Sequence, residues 1–228
     1  GAPNALTARV IEQAGFDAIY VSGAGVTNTY LGMPDLGLLS VSELVAHVAA
    51  MAESVSIPLV VDADTGFGNA LNVQRTVRQL ERAGASAIQL EDQVSPKKCG
   101  HFAGKEVIST SEMVGKVKAA VDARADDDLL VIARTDALAI DGLDAALERA
   151  AAYLEAGADI LFVEAPRTAE QMAEIVRQVP GVHMANMVEG GLTPILSREE
   201  LGSLGFSVAL YANAAMRGAV AGMRQVMD

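Results

Sequence analysis

The sequence predicts an α/β fold of the (β/α)8 barrel kind, and three observations carry that expectation. First, one phrase recurs four times: a helical segment ending in Ala-Gly or Leu-Gly, a short step, then an apolar β-branched run. Gly15 precedes residues 18–22, Gly84 precedes 87–92, Gly157 precedes 160–164 and Gly205 precedes 208–213. Second, three further apolar runs, at 57–64, 129–136 and 182–189, complete the series without the glycine stop. Third, all seven runs close on polar or ionisable residues. Near-continuous apolar runs are what strands buried on both faces look like, and strand alternating with helix implies parallel strands joined by right-handed crossovers.

Each element has its local reason. Residues 1–15 read as a helix with its lead-in, so the first of eight strands is expected upstream of Gly1, outside this chain. The strand at 18–22 follows a glycine able to adopt the left-handed conformation that stops a helix. After the strand at 57–64, helical periodicity resumes over 72–83, and it returns over 111–123, 143–156 and 169–178 between the later strands. Residues 214–227 look helical. No composition break marks a linker, so residues 1–228 are expected to form a single barrel domain, a size such barrels reach undivided. A doubly wound open sheet is the alternative. It would place Gly-x-Gly-x-x-Gly after the first strand, and the glycines of 20–26 have a different spacing.

Composition narrows the function. The chain is 51% hydrophobic but 4% aromatic, with no tryptophan, so Ala, Val, Leu, Ile and Met must pack the core. A net charge of −12 argues against nucleic acid, whose binding needs clustered Lys and Arg. It leaves room for a small anionic carboxylate substrate, because outer helices can carry the acids while arginines and a divalent metal make one cleft positive. One cysteine excludes an internal disulfide and suits a reducing, cytoplasmic setting. No apolar run reaches membrane-spanning length, so no membrane partner is expected. The opening residues do not read as a signal peptide.

Catalytic groups of a barrel gather at the C-terminal ends of its strands. Those ends here supply Tyr20-Val21-Ser22-Gly23, Asp62-Ala63-Asp64, Glu91-Asp92, Arg134-Thr135-Asp136, Glu164, Asn186 with Glu189, and Tyr211 with Asn213. Asp62 and Asp64 lie two apart, which on a strand turns both carboxylates the same way, and Glu91 ends the next strand. Clustered oxygen donors suit a hard cation, magnesium above all; a loop-forming Asp pair is the plainer account. Arg134 offers a fork for a carboxylate, unless Asp136 or another acid already holds it. Ser22, Gly23 and Ala24 are small enough for a ligand to approach their backbone N–H groups. His47 and His183 read as structural.

Residues 97–104, Lys-Lys-Cys-Gly-His-Phe-Ala-Gly, hold the lone cysteine. Lys97, Lys98 or a protonated His101 would lower the pKa of Cys99 and make its thiol reactive. A small residue buried in a loop is the competing account.

Taken together, the Lys97–His101 segment, Tyr20–Gly23, 31–35 (Leu-Gly-Met-Pro-Asp), 62–68 (Asp-Ala-Asp-Thr-Gly-Phe-Gly) and 133–136 (Ala-Arg-Thr-Asp) resemble the isocitrate lyase and phosphoenolpyruvate mutase superfamily. The cysteine loop points to its lyase branch, the kind that includes methylisocitrate lyase and 2,3-dimethylmalate lyase. The resemblance implies Mg2+, with Mn2+ as an alternative, held by Asp62 and Asp64, and Asp35 and Glu91 in a water-bridged outer shell. It implies that Ser22, Gly23 and Ala24 bind the carboxylate of an α-keto product. Gly100, His101, Arg134, Glu164, Asn186 and Arg217 would line the rest of the substrate site. Cys99 would be the general acid, with Tyr20 beside the hydroxyl that loses its proton. The resemblance also implies a C-terminal helix beyond residues 214–227, exchanged between subunits, and a homotetramer built as a dimer of dimers.

Two departures from the family pattern touch substrate choice. Val188 stands where a hydroxyl residue is expected, and Ala212 follows Tyr211 in place of proline. The implied reaction is retro-aldol cleavage of a small 2-hydroxy di- or tricarboxylate. An oxaloacetate hydrolase, a phosphonopyruvate or carboxyphosphonoenolpyruvate mutase-like enzyme, and a metabolite-binding barrel without turnover are the other readings.

Overall fold

The computed structural model describes residues 1–98 and 104–228. Among these, seven strands form one parallel sheet whose spatial order follows the chain: β1 Ile19–Val21, β2 Leu59–Asp62, β3 Ala87–Glu91, β4 Leu130–Thr135, β5 Ile160–Val163, β6 Val182–Asn186 and β7 Val208–Leu210. The helices are α1 Ala5–Gln13, α2 Gly23–Val26, α3 Val41–Ala52, α4 Ala70–Arg82, α5 Thr110–Ala123, α6 Leu143–Glu155, α7 Ala169–Gln178, α8 Arg198–Ser203 and α9 Ala214–Met227. The strand order never reverses, so there is no switch point of the doubly wound kind. The architecture is a nearly closed α/β barrel.

Alternation along the strands sorts the side chains into two populations. Ile19, Val21, Val61, Ile88, Leu90, Val131 and Leu161 point outward into the main core with α3 to α6, whose Val48, Val77, Val117 and Tyr153 they meet. Tyr20, Ile132, Phe162, Met184 and Leu210 point inward and fill the barrel. On β4 the neighbours Val131, Ile132 and Ala133 divide out, in, out. The next inward position is Arg134. On α4, Val73, Val77 and Leu80 are fully buried, each contributing about 1.5–3 kcal/mol of hydrophobic stabilisation.

β1 and β7 do not pair along their length. Gly1 and Ala2 span the space between them at the C-terminal edge. Ala2 N–H donates to the Tyr20 carbonyl at 2.8 Å and pairs in parallel with Val21, while the Gly1 ammonium donates to the Tyr211 carbonyl at 2.8 Å. Below them a cavity of about 620 Å³ separates Ala18 and Tyr20 from Val208 and Leu210. This is the position at which the sequence pattern expects an eighth strand.

The apolar runs overestimate strand length, because their polar ends leave the ladder to form the cleft. Two helices beyond those marked by periodicity, α3 and α8, open on Ser-x-x-Glu capping boxes, Ser40 with Glu43 and Ser197 with Glu200. No helix among the described residues is long and apolar enough to cross a membrane.

Candidate active site

The C-terminal ends of β1, β2, β4, β5 and β6 meet at one cleft through Tyr20, Asp62, Arg134, Glu164 and Asn186, joined from the loops by Asp35, Lys97 and Asn213. One wall is acidic. Asp62 ends β2; its Oδ1 accepts from Asp64 N–H at 3.2 Å and Gln89 Nε2 at 3.3 Å, and its Oδ2 from Gly23 N–H at 3.3 Å. Asp64 lies beyond the strand at φ 48°. Its carboxylate therefore reaches the cleft through a left-handed turn, not through strand alternation. Such strain in a non-glycine residue is characteristic of functional sites. A Cβ on Gly23 would stand 3.1 Å from Asp64 Oδ1 and 3.2 Å from Asp62 Oδ2, so glycine lets both acids converge there.

Lys97 enters this wall from the other side. Its Nζ lies 2.7 Å and 2.9 Å from the two carboxylate oxygens of Asp35 and 2.8 Å from Asp64 Oδ1. The contact with Asp64 is ionic and outside hydrogen-bonding geometry, which leaves that oxygen without a hydrogen bond. Burial disfavours the ammonium, but Asp64, Glu91, Asp62 and Asp35 outweigh it and hold its pKa well above the ordinary lysine value. Burial pushes the Asp64 carboxyl up to about 6, against the pull of Lys97. Glu91 is raised well above the usual carboxylate range by the same desolvation, opposed by Arg134 and Lys97.

These residues suit a hard divalent cation. Four carboxylates share the wall with one ammonium, and Asp64 Oδ1 and Glu91 Oε1 are buried without a hydrogen bond. As they stand, no three His, Cys, Asp or Glu side chains among the described residues form a closed ligand cage. Magnesium asks for less than that: one or two carboxylates, with water completing the octahedron.

The opposite wall is the Arg134 clamp. Asp136 grips the guanidinium through Nε at 2.9 Å and Nη2 at 3.1 Å, Glu91 lies 3.4 Å from Nε, and Glu164 lies 3.5 Å from Nη1. The ring of Phe162 backs the guanidinium at 5.2 Å. Two of the fork's nitrogens are thus committed to Asp136, and Nη1 makes the longer contact, with Glu164. Burial raises the Asp136 carboxyl, but Arg134 and then Lys105, whose Nζ sits 2.7 Å away, hold it down at about 2.

The remaining expected residues are spread more widely. Tyr20, Ser22, Ala24 and Asn186 line the cleft. The backbone N–H groups of Ser22 and Gly23 are taken, by the Ala2 carbonyl and by Asp62 respectively. What faces a ligand there is the Ser22 hydroxyl, which donates to Asn213 Oδ1 at 3.3 Å, together with Ala24. Asn186 Oδ1 is buried without a hydrogen bond. Arg217, on α9, lies in an adjoining pocket with Val188 and Asn213, where it donates to the Glu189 carbonyl. Cys99, Gly100 and His101 lie outside the described residues. Of the cations expected to act on Cys99, Lys97 is engaged by Asp35 and Asp64, and Lys98 Nζ donates to the Gly104 carbonyl at 2.6 Å. His47 and His183 are structural as expected, bonded to the Glu43 and Val179 carbonyls.

Two functional-looking residues, Gln89 and Gln93, escape the sequence pattern, and Asp92, read with the strand ends, takes a different place from the one expected. Gln89, inside an apolar run, links Tyr20 to Asp62. Gln93 clamps both backbone groups of Lys98 at 2.9 Å. Asp92 faces away from the cleft and accepts from Thr135 Oγ1 at 2.7 Å, Tyr153 OH at 2.8 Å and Asp136 N–H at 2.9 Å. Nothing in the spacing distinguishes Gln89, whose partners lie 69 and 27 residues away, and the Gln93 clamp closes on Lys98 only 5 residues on, through backbone groups that carry no sequence signal.

The profile of the family described as phosphoenolpyruvate phosphomutase matches residues 2–228. The chain belongs to the phosphoenolpyruvate mutase family. Among its family relatives, 2,3-dimethylmalate lyase of Eubacterium barkeri is 54% identical over 216 residues, covering 95% of this chain and 75% of the relative. The 2-methylisocitrate lyase of Aeropyrum pernix is 46% identical over 232 residues, covering 100% and 74%. The crystal structure of a 2,3-dimethylmalate lyase, a PEP mutase/isocitrate lyase superfamily member, superposes with a TM-score of 0.96 at 39% identity, covering 100% of this chain and 77% of that one. A family member holding a divalent metal, phosphonopyruvate hydrolase in complex with oxalate and Mg++, superposes with a TM-score of 0.88 at 38% identity, covering 99% and 78%.

Proposed function

We propose that this carbon–carbon lyase is magnesium-dependent and cleaves a small 2-hydroxy di- or tricarboxylate, of the 2,3-dimethylmalate or 2-methylisocitrate type, to an α-keto acid such as pyruvate and a second carboxylate. The observation that carries the reading is the pairing of walls in one cleft, a carboxylate cluster fit for a hard cation facing the Arg134 clamp, in a chain 54% identical to a 2,3-dimethylmalate lyase. Asp62 and Asp64 would hold the ion, with Asp35 and Glu91 behind its waters; when bound it supplies Lewis-acid polarisation of the oxygen that becomes the ketone.

The chain's own residues do the rest. Ser22 and Ala24 cradle the carboxylate next to the hydroxyl-bearing carbon, and Arg134 with Asn186 orients the leaving half. Tyr20 stands at the hydroxyl. As the O–H proton leaves to a base, the oxygen's electron pair forms the new carbonyl. The C–C bond breaks, its electron pair passes to the carboxylate-stabilised carbon, and the Cys99 S–H protonates that carbon. An ordinary thiol pKa of about 8.5 allows this exchange near neutral pH. His101 and Gly100 are further substrate-binding residues on the family resemblance alone. Val188, Leu210 and Ala212 give the second product an apolar wall. The subunits assemble as a homotetramer, a dimer of dimers, in the cytoplasm.

Purified protein with Mg2+ is to be offered 2,3-dimethylmalate, 2-methylisocitrate, oxaloacetate and phosphonopyruvate. Keto-acid release from either hydroxy acid, abolished by a chelator and restored by Mg2+, is the expected result. Oxalate from oxaloacetate would make it a hydrolase, and a phosphorus change in phosphonopyruvate a mutase-like enzyme. Cys99→Ser turning over at the parent rate would remove the thiol from the reaction.

A further inference from the structure

Gln89 is an inward-facing polar residue that the chemistry above leaves without a task. It is fully buried, its Oε1 accepts from Tyr20 OH at 2.9 Å and its Nε2 donates to Asp62 Oδ1 at 3.3 Å. The direction of these two bonds is not free. An ionised carboxylate can only accept, and the other groups on Asp62, the N–H of Gly23 and of Asp64, are donors too. The amide must therefore turn its NH2 to Asp62, which leaves its carbonyl oxygen for the tyrosine. The opposite flip would set the amide oxygen against a carboxylate oxygen, two buried acceptors with no proton between them, a costly arrangement. With a carbonyl oxygen as its partner, the Tyr20 hydroxyl has to be the donor.

We propose that Gln89 is a positioning residue that draws the Tyr20 hydroxyl proton into the barrel, so that the tyrosine presents only acceptor lone pairs to the cleft. The consequence concerns which oxygen the site holds. An alcohol can donate to Tyr20, whereas a ketone brings only an acceptor and meets lone pair with lone pair. The relay thus favours a 2-hydroxy acid over the keto acid formed from it, and the hold weakens at the moment the C–OH becomes C=O. This deepens the retro-aldol reading and rests on it for the identity of the oxygen.

Two substitutions separate polarity from shape. A neutral histidine carries one N–H donor and one ring acceptor, so Gln89→His can still donate to Asp62 and accept from Tyr20. Gln89→Met keeps the unbranched shape and volume but cannot donate to Asp62. If Gln89 only filled space, methionine would be the milder change. The assay is calorimetric titration of the Mg2+-loaded chain with malate as the hydroxy-acid probe and pyruvate as the keto-acid probe, beside steady-state turnover of whichever hydroxy acid the parent cleaves. Expected is a malate-over-pyruvate preference in the parent that falls about tenfold in Gln89→Met and stays within about threefold in Gln89→His, the scale of one hydrogen bond made or lost in a buried site. In turnover, the methionine variant loses kcat while the histidine variant retains it. Equal losses in both variants, or an unchanged preference in the methionine variant, would overturn the relay. If the parent cleaves no hydroxy acid at all, the lyase reading fails, and the binding preference still decides the relay by itself.

Discussion

Replacing Asp136 by asparagine removes one negative charge while keeping the side chain's shape, and so asks how far the Arg134 clamp depends on that charge. Asp136 is fully buried and holds Arg134 at 2.9 Å and 3.1 Å and Lys105 at 2.7 Å. Its carboxyl sits at about 2 against an ordinary 3.8. At about 1.36 kcal/mol per pH unit, ionising it stabilises the folded state by about 2 kcal/mol. Breaking a buried ion pair from one side can cost about 3–5 kcal/mol. The lower figure is expected here, because Glu91 and Glu164 remain 3.4 Å and 3.5 Å from the guanidinium. The sign in pH follows from a depressed carboxyl: the stabilisation is complete above the unfolded value of 3.8 and is lost as pH falls towards about 2. Urea unfolding of parent and Asp136→Asn should therefore show a constant gap of about 2 kcal/mol from pH 8 to 5 that starts to close below about pH 4. Equal stability at pH 7, or a gap that widens on acidification, would refute the reasoning.

Two further outcomes test the groups behind the cleft. Tyr153→Phe removes one donor from Asp92, which keeps Thr135 Oγ1 and Asp136 N–H, so a loss of about 1–2 kcal/mol in urea unfolding is expected; no measurable loss would mean that the tyrosine hydroxyl does not support the network. His183 is buried, and desolvation lowers its pKa against the opposing bond to Val179. The unfolded chain then takes up this proton first, so stability is complete above about pH 6.5 and falls below it. His183→Phe should flatten the decline between pH 7 and 5, and an unchanged slope would show that this histidine does not contribute to it.

The barrel was legible because its signals are local. Seven apolar runs and their intervening periodicities mark seven strands in order, and the Ala169–Gln178 helix carries the bounds its periodicity implies. Much of the cleft was legible for the same reason, since strand ends collect at one mouth whatever the loops do. The unforeseen parts are long-range. Lys97 is next to Lys98 in sequence, and reading both as cations for Cys99 was natural. Its partner Asp35 lies 62 residues away, and no spacing announces that. Gln89 is a polar letter in an apolar run, and its meaning depends on Tyr20, 69 residues earlier. The expectation that Asp62 and Asp64 share a face by strand period reached the right neighbourhood by the wrong geometry, for it is the left-handed turn at Asp64 that delivers the second carboxylate.

The pair Glu91-Asp92 shows how one strand end can serve two tasks. Adjacent strand residues face opposite ways, so Glu91 looks into the cleft towards Arg134, while Asp92 looks back towards α6 and Tyr153. The same division repeats across the ladder, where Glu91 pairs with Arg134: Arg134 faces in, and Thr135 faces back to donate to Asp92. Asp136 joins the two systems, its backbone N–H on Asp92 and its carboxylate on Arg134. A ligand that pulls on Arg134 therefore pulls against a buried network anchored on the outer helices, not against a free side chain. That network also fixes the chain on both sides of the cysteine segment, because the Asp92 carbonyl accepts from Ile108 N–H and Arg149 bridges Asp92 to the Ile108 carbonyl. The Arg134 clamp and the backbone at Ile108 thus share one support, so a change at Asp92 should loosen both together.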